Sequence, residues 1–246
     1  MTSIANRVAI VTGSSRGIGA AVARRLASDG LLVIVNYTGG AKAAAEVVRL
    51  IEKAGGRATS CQADISDPQA VKRLFASAEE TYGGVDVLVN NAGIMELAPL
   101  AEFDDAAFDS TIAINLKGTF NCLREAAMRL RHGGRIVNFS SSVVGLCEPT
   151  YGVYAATKAA VEALTHILAK ELGPRCITVN AVAPGPVATE LFLKGKDQAT
   201  VDRIKQVNPL RRLGEVDDVA RVVSLLVGPD SAWINGQIIR ANGGVV

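Results

Sequence analysis

"RVAIVTGSSRGIGAAVARRLASDG", residues 7–30, changes its period midway. It opens on a short apolar run, β-branched at Val8, Ile10 and Val11, of the kind that forms a strand buried on both faces. From Gly17 onward the apolar residues return at helical spacing. Between the two lies "TGSSRGIG", residues 12–19. Gly13 permits a tight turn, Gly17 lets the backbone approach a phosphate, and Gly19 allows the helix to pack closely on the strand. The helix start turns free N–H groups towards pyrophosphate oxygens, so the stretch reads as a dinucleotide site that includes Ser15, Arg16 and Ile18. No Gly-Lys-Ser/Thr closes the loop, which excludes a phosphate-cleaving P-loop.

The rest of the chain repeats this alternation. Strand-like runs stand at 31–37, 57–64, 85–93, 134–141, 177–185 and 236–244. Helical segments fall at 41–55, 68–83, 102–131, 153–173 and 215–228. Repeated βα units predict an α/β fold: one domain over 1–246, with a doubly wound parallel sheet of seven strands flanked by helices. Residues 186–214 break the pattern with Pro186, Gly195, Pro209 and Gly214. Ligands of open α/β sheets bind beyond the carboxyl ends of the strands, so this insertion is expected to form a substrate-binding lid.

Composition narrows the function. A length of 246 residues and 49% hydrophobic content suit one domain with a sizeable core. A net charge of +2 without a basic run argues against nucleic acid as a partner. The longest apolar runs, such as "LLVIV" at 31–35, fall far short of the roughly 20 residues that span a bilayer. The opening "MTSIANRVAIVTG" leads into a strand without a signal-peptide pattern. Cys61, Cys122, Cys147 and Cys176 share no ligand spacing and read as buried free thiols, and the only histidines are His132 and His166. The expectation is a cytoplasmic enzyme that uses no metal.

The second strand ends at Asn36, followed by Tyr37 and Thr38. An acidic residue there would accept from the ribose hydroxyls and repel a 2′-phosphate. Its replacement by Asn36, with the guanidinium of Arg16 nearby, favours NADP(H).

Further on, "SSSVVGLCEPTYGVYAATKAAVEAL" covers residues 140–164. Tyr154 and Lys158 are four apart, so one helix places them on one face. A free phenol, with a pKa of roughly 10, is a poor base near neutrality. A nearby cation favours the phenolate and brings the group into the useful range.

The glycine turn, "NNAG" at 90–93, Asn115 in "AINLKGTF", the serines, "YAATK" at 154–158 and "APGPVATE" at 183–190 follow one another in order. This set closely resembles the classical short-chain dehydrogenase/reductase family over essentially the whole chain. The resemblance implies a Rossmann-type fold and hydride transfer between NADP(H) and a carbonyl/alcohol pair. It makes Tyr154 the acid/base and has Lys158 bind the nicotinamide ribose and tune the tyrosine. Asn115 would hold a water, and a serine would donate to the substrate oxygen. Counting back from the tyrosine selects Ser141; the "SVVG" match selects Ser142, towards which the reading leans. Asp64 and Ile65 would meet the adenine, and Asn91, Ala92 and Gly93 would pass beneath its ribose and the phosphates. Pro184, Gly185, Val187 and Thr189 would close over the nicotinamide.

Within the family the chain looks most like NADPH-dependent aldehyde and ketone reductases, with Leu146, Pro149, Tyr151, Leu191 and Phe192 available to line an apolar cavity. A 3-oxoacyl-carrier-protein reductase is the alternative, for which Arg129, Arg131 and Arg175 could meet an acidic carrier. A non-catalytic NADP(H) sensor is the other. The resemblance also implies a homotetramer.

Overall fold

The computed structural model describes residues 6–246, so most of the expected lead into the first strand lies outside the described residues. The first half runs β1 (Val8–Val11), α1 (Gly17–Ser28), β2 (Leu32–Tyr37), α2 (Ala41–Lys53), β3 (Arg57–Gln62), α3 (Pro68–Tyr82) and β4 (Val85–Asn90). Next come α4 (Asp105–Thr111), α5 (Thr119–Arg129), β5 (Leu130–Phe139), α6 (Val143–Leu146) and α7 (Gly152–Glu171). The chain then adds β6 (Thr178–Pro184), α8 (Glu190–Leu193), α9 (Gln198–Val207), α10 (Val216–Val227) and β7 (Ile238–Ala241).

The seven strands lie in the order β3-β2-β1-β4-β5-β6-β7, each parallel to its neighbours. The chain moves outward from β1 to β3 and then crosses back to lay β4 against β1. The strand order therefore reverses between β1 and β4, where open sheets of this kind leave a crevice. Alternate residues serve the two faces. Ala9 and Val11 pack with α1, α2 and α10, whereas Val8 and Ile10 pack with α3, α5 and α7. All four are fully buried, which is why β1 shows no polar alternation.

Helix ends follow local chemistry. The Asp67 carboxylate accepts from Gln69 N at the start of α3, Pro68 occupies the first turn, and Gly83 at a φ of 83° stops the helix.

Three expectations need correction. The helix expected over 102–131 is divided by a π-helical turn at Ile112–Gly118, and its last residues belong to β5. The irregular 186–214 stretch contains two helices, α8 and α9. Of the four thiols, only Cys122 is buried; Cys61 is half-buried and Cys147 and Cys176 are exposed. The exposed pair follow short helical turns at left-handed φ values of 54° and 53°, outside the packed strands. Among the described residues no helix is long and apolar enough to cross a membrane, and no group of His, Cys, Asp or Glu is placed to hold a metal ion.

Candidate active site

The glycine turn leaves the carboxyl end of β1 with Gly13 and Gly17 at φ of 60° and 57°, a region that side chains resist. A Cβ on Gly13 would stand 2.8 Å from Ala92 Cα, and one on Gly19 would stand 2.6 Å from the Gly13 carbonyl oxygen. Turn, helix and the end of β4 are thus too close for larger residues. Thr12 Oγ1 accepts from Asn91 N at 3.0 Å and Ala92 N at 3.1 Å. Asn91 Nδ2 donates back to Thr12 O at 2.9 Å and Gly13 O at 3.1 Å. No side chain caps α1, and its first turn carries no acidic residue, so its N–H groups suit an anion. This cradle fits the phosphates of a dinucleotide. Ser15 and Ile18 are half-exposed beside it, and Arg16 projects into solvent.

Asn36, expected at the ribose, turns its side chain into the protein. It is buried, its Oδ1 accepts from Gly13 N at 3.2 Å, and its Nδ2 donates to Ala63 O at 3.0 Å and Cys61 O at 3.3 Å. It ties the phosphate turn to the sheet, and only Tyr37 and Thr38 beyond it remain half-exposed or exposed. Asp64 is exposed, with Oδ1 accepting from Ser66 N and Oγ. The Ile65 side chain belongs to the core and packs on Gly118, leaving its backbone as the part that an adenine could meet.

Tyr154 and Lys158, the expected acid/base pair, lie near the amino end of α7. Lys158 is buried; its Nζ donates to Phe139 O at 2.9 Å and sits 5.6 Å from the centre of the Tyr154 ring. Burial pulls its pKa down to about 8. Burial pushes the Tyr154 phenol up to about 12, against a smaller downward pull from Ser141. Tyr154 is only half-buried as a residue, which tempers this penalty. Desolvation opposes the charged form of both groups.

Gly93 stands between Asn115 and Lys158, since a Cβ there would meet Asn115 Oδ1 at 3.2 Å and Lys158 Nζ at 3.6 Å. Asn115 is held on both sides of its amide, accepting from Ile94 N and donating to Ile94 O, each at 2.8 Å. It lies in the π-helical turn, and its carbonyl accepts from the Thr119 hydroxyl at 2.8 Å. Such turns relax the backbone where a functional group must be aimed.

Of the two candidate serines, Ser141 is the one beside the phenol. Ser142 is buried, with its N–H on Pro184 O at 3.0 Å and its hydroxyl turned to Ala183 O at 3.4 Å. The preference for Ser142 from the "SVVG" match gives way, because β6 claims that residue. Pro184 and Val187 are buried, Gly185 is fixed by donating to Ala241 O at 3.0 Å, and Thr189 begins α8. Leu146, Tyr151 and Phe192 are half-buried, whereas Pro149 and Leu191 are exposed.

Thr12, Ser14 and Thr157 escaped the sequence reading. Ser14 donates to Val11 O at 2.7 Å, and Thr157 links Tyr154 O at 2.7 Å to Asn115 Nδ2 at 3.3 Å. Their only signal was a hydroxyl next to a motif residue. The arginines available for an acidic carrier are occupied: Arg129 pairs with Glu79 and Glu125, Arg131 with Asp86, and Arg175 with the main-chain carbonyls of Ala127 and Leu130.

A family model described as enoyl-(acyl carrier protein) reductase matches residues 13–246. The chain is 45% identical over 253 residues to a short-chain type dehydrogenase/reductase of Picea abies, covering 99% of this chain and 93% of the relative. Identity is 46% over 256 residues to NADPH-dependent aldehyde reductase 2, chloroplastic, of Arabidopsis thaliana, covering 98% and 94%. A solved short-chain dehydrogenase from Burkholderia cenocepacia J2315 in complex with NADP superposes with a TM-score of 0.94 at 39% identity, covering 99% of each chain.

Proposed function

Because the chain belongs to the short-chain dehydrogenase/reductase family, we propose that it is an NADPH-dependent reductase of small or medium-sized apolar aldehydes and ketones. One observation carries this reading: Tyr154 lies beside Ser141, Lys158 Nζ stands 5.6 Å from its ring centre, and burial favours the protonated phenol. That is the state a proton donor to a carbonyl oxygen needs. NADPH, when bound, supplies the hydride to the carbonyl carbon and becomes NADP+. Tyr154 gives its proton to the carbonyl oxygen, completing the alcohol. Ser141 donates a hydrogen bond to that oxygen as negative charge develops on it. Lys158, an ammonium below a pH of about 8, stabilises the phenolate left behind and holds the nicotinamide ribose. Asn115 supports the water through which the proton is restored.

Gly13 to Gly19 and Asn91 to Gly93 hold the phosphates and the adenine ribose, and Asp64 and the Ile65 backbone hold the adenine. Pro184, Gly185, Val187 and Thr189 close over the nicotinamide. The absence of an acid at the end of β2 and the exposed guanidinium of Arg16 beside the turn support the phosphorylated coenzyme. So does the NADPH dependence named for the Arabidopsis relative. Residues 186–214 serve as the substrate lid, and the working form is a cytoplasmic homotetramer.

The test follows nicotinamide absorbance with NADPH and a panel of aldehydes and ketones. Turnover is expected, and Tyr154→Phe should lower it by about 10³-fold while NADPH affinity stays nearly unchanged. Unaltered turnover in that variant removes Tyr154 from the mechanism. NADPH binding without turnover on any carbonyl makes the protein a sensor instead.

A further inference from the structure

Arg16 and Glu190 are 174 residues apart in the chain, yet Arg16 Nη1 lies 3.1 Å from Glu190 Oε2. Arg16 immediately precedes α1 in the phosphate turn, and Glu190 opens α8 at the root of the 186–214 segment. Thr189 seats that root. Its hydroxyl accepts from Phe192 N at 3.2 Å, and its methyl lies 3.8 Å from where a Cβ on Gly17 would stand. The Arg16–Glu190 pair is the one ion pair between the two segments among the described residues.

Both side chains are largely exposed, at 76% and 79%, so the pair contributes little to stability. What it does is decide where the Arg16 guanidinium points. We propose that Glu190 is a negative determinant of coenzyme affinity: its carboxylate holds Arg16 in a latch between phosphate turn and lid, and the 2′-phosphate of NADP(H) has to compete for that guanidinium. This rests on the assignment of Arg16 to the phosphorylated coenzyme.

Drawing Arg16 to the 2′-phosphate either breaks the pair or brings two anions to one cation, and either route weakens binding. NADH lacks that phosphate and makes no demand on Arg16.

The experiment measures dissociation constants for NADPH and NADH by fluorescence titration at low and high salt. The proteins are wild type, Glu190→Gln, Arg16→Ala and the double variant. Glu190→Gln keeps the shape and removes the charge, and it should bind NADPH roughly twofold to fivefold more tightly with NADH unchanged. The gain should shrink at high salt and vanish in the Arg16→Ala background. An unchanged NADPH-to-NADH ratio in Glu190→Gln, weaker NADPH binding, or the same gain without Arg16 overturns the latch. Wild-type protein that prefers NADH, or binds neither, overturns the coenzyme assignment beneath it.

Discussion

Ser141 and Ser142 are covalent neighbours whose hydroxyls answer to different parts of the fold. Ser142 is pinned by backbone and side chain to the end of β6, which leaves Ser141 to face Tyr154. Ser141→Ala is expected to lower kcat by about 10²-fold, the usual loss of an oxyanion donor. Ser142→Ala should leave kcat near wild type and cost about 1 kcal/mol of stability. Steady-state kinetics with urea melts separate the two, and equal losses of kcat would deny Ser141 its special role. Lys158 makes a pH-dependent prediction. Its folded pKa of about 8 lies below the ordinary 10.5, so its desolvation penalty is fully present below pH 8. As pH rises from 8 to 10.5 the unfolded chain binds the extra proton and the penalty is lifted, an effect on the order of 3 kcal/mol. Lys158→Met lacks this relief, so its stability relative to wild type should fall over that window. The comparison cancels Cys122, whose burial pushes its thiol up to about 12 and acts in the opposite sense. A difference independent of pH would mean that Lys158 is not desolvated.

At the scale of elements, the end of β2 shows how a specificity position became a structural one. Asn36 bridges the Gly13 N–H and the carbonyls leaving β3, so it fixes the height of the phosphate turn above the sheet. Asn36→Ala leaves buried polar groups unpaired and should cost about 1–3 kcal/mol. Affinity for NADPH and NADH should drop by the same factor, because the turn loosens for both. A selective loss of NADPH in titration would instead mean that Asn36 touches the 2′-phosphate. Nothing local foretold this role, since an asparagine at a strand end commonly begins a turn. The π-helical turn at Ile112–Gly118 was equally hidden. It carries Asn115, fastened to Ile94 on a loop 21 residues earlier.

The whole molecule also leaves apolar side chains uncovered, including Phe120 and Met128 on α5, Ile167 on α7, Leu225 on α10 and Trp233 before β7. A homotetramer would bury such faces between copies. Sedimentation is expected to give four chains per particle, and a monomer at micromolar concentration would sink the assembly. Much of the architecture was legible beforehand: β2 was read as 31–37 and β3 as 57–64, against Leu32–Tyr37 and Arg57–Gln62 in the structure. Period, β-branching and turn residues act within a few neighbours, so these carry the strand–helix alternation and the glycine turn. The Tyr154–Lys158 spacing was legible for the same reason, because a helix fixes which face residues four apart share. The sequence by itself therefore determined the βα order, the glycine turn and the helix face shared by Tyr154 and Lys158. Only the tertiary structure decided that Ser141 lies beside the phenol, that Asn36 turns inward, and that Tyr154 and Lys158 are both desolvated. Each of these depends on groups that β6, β3 or the packed core bring in from far along the chain, and no local rule contains them.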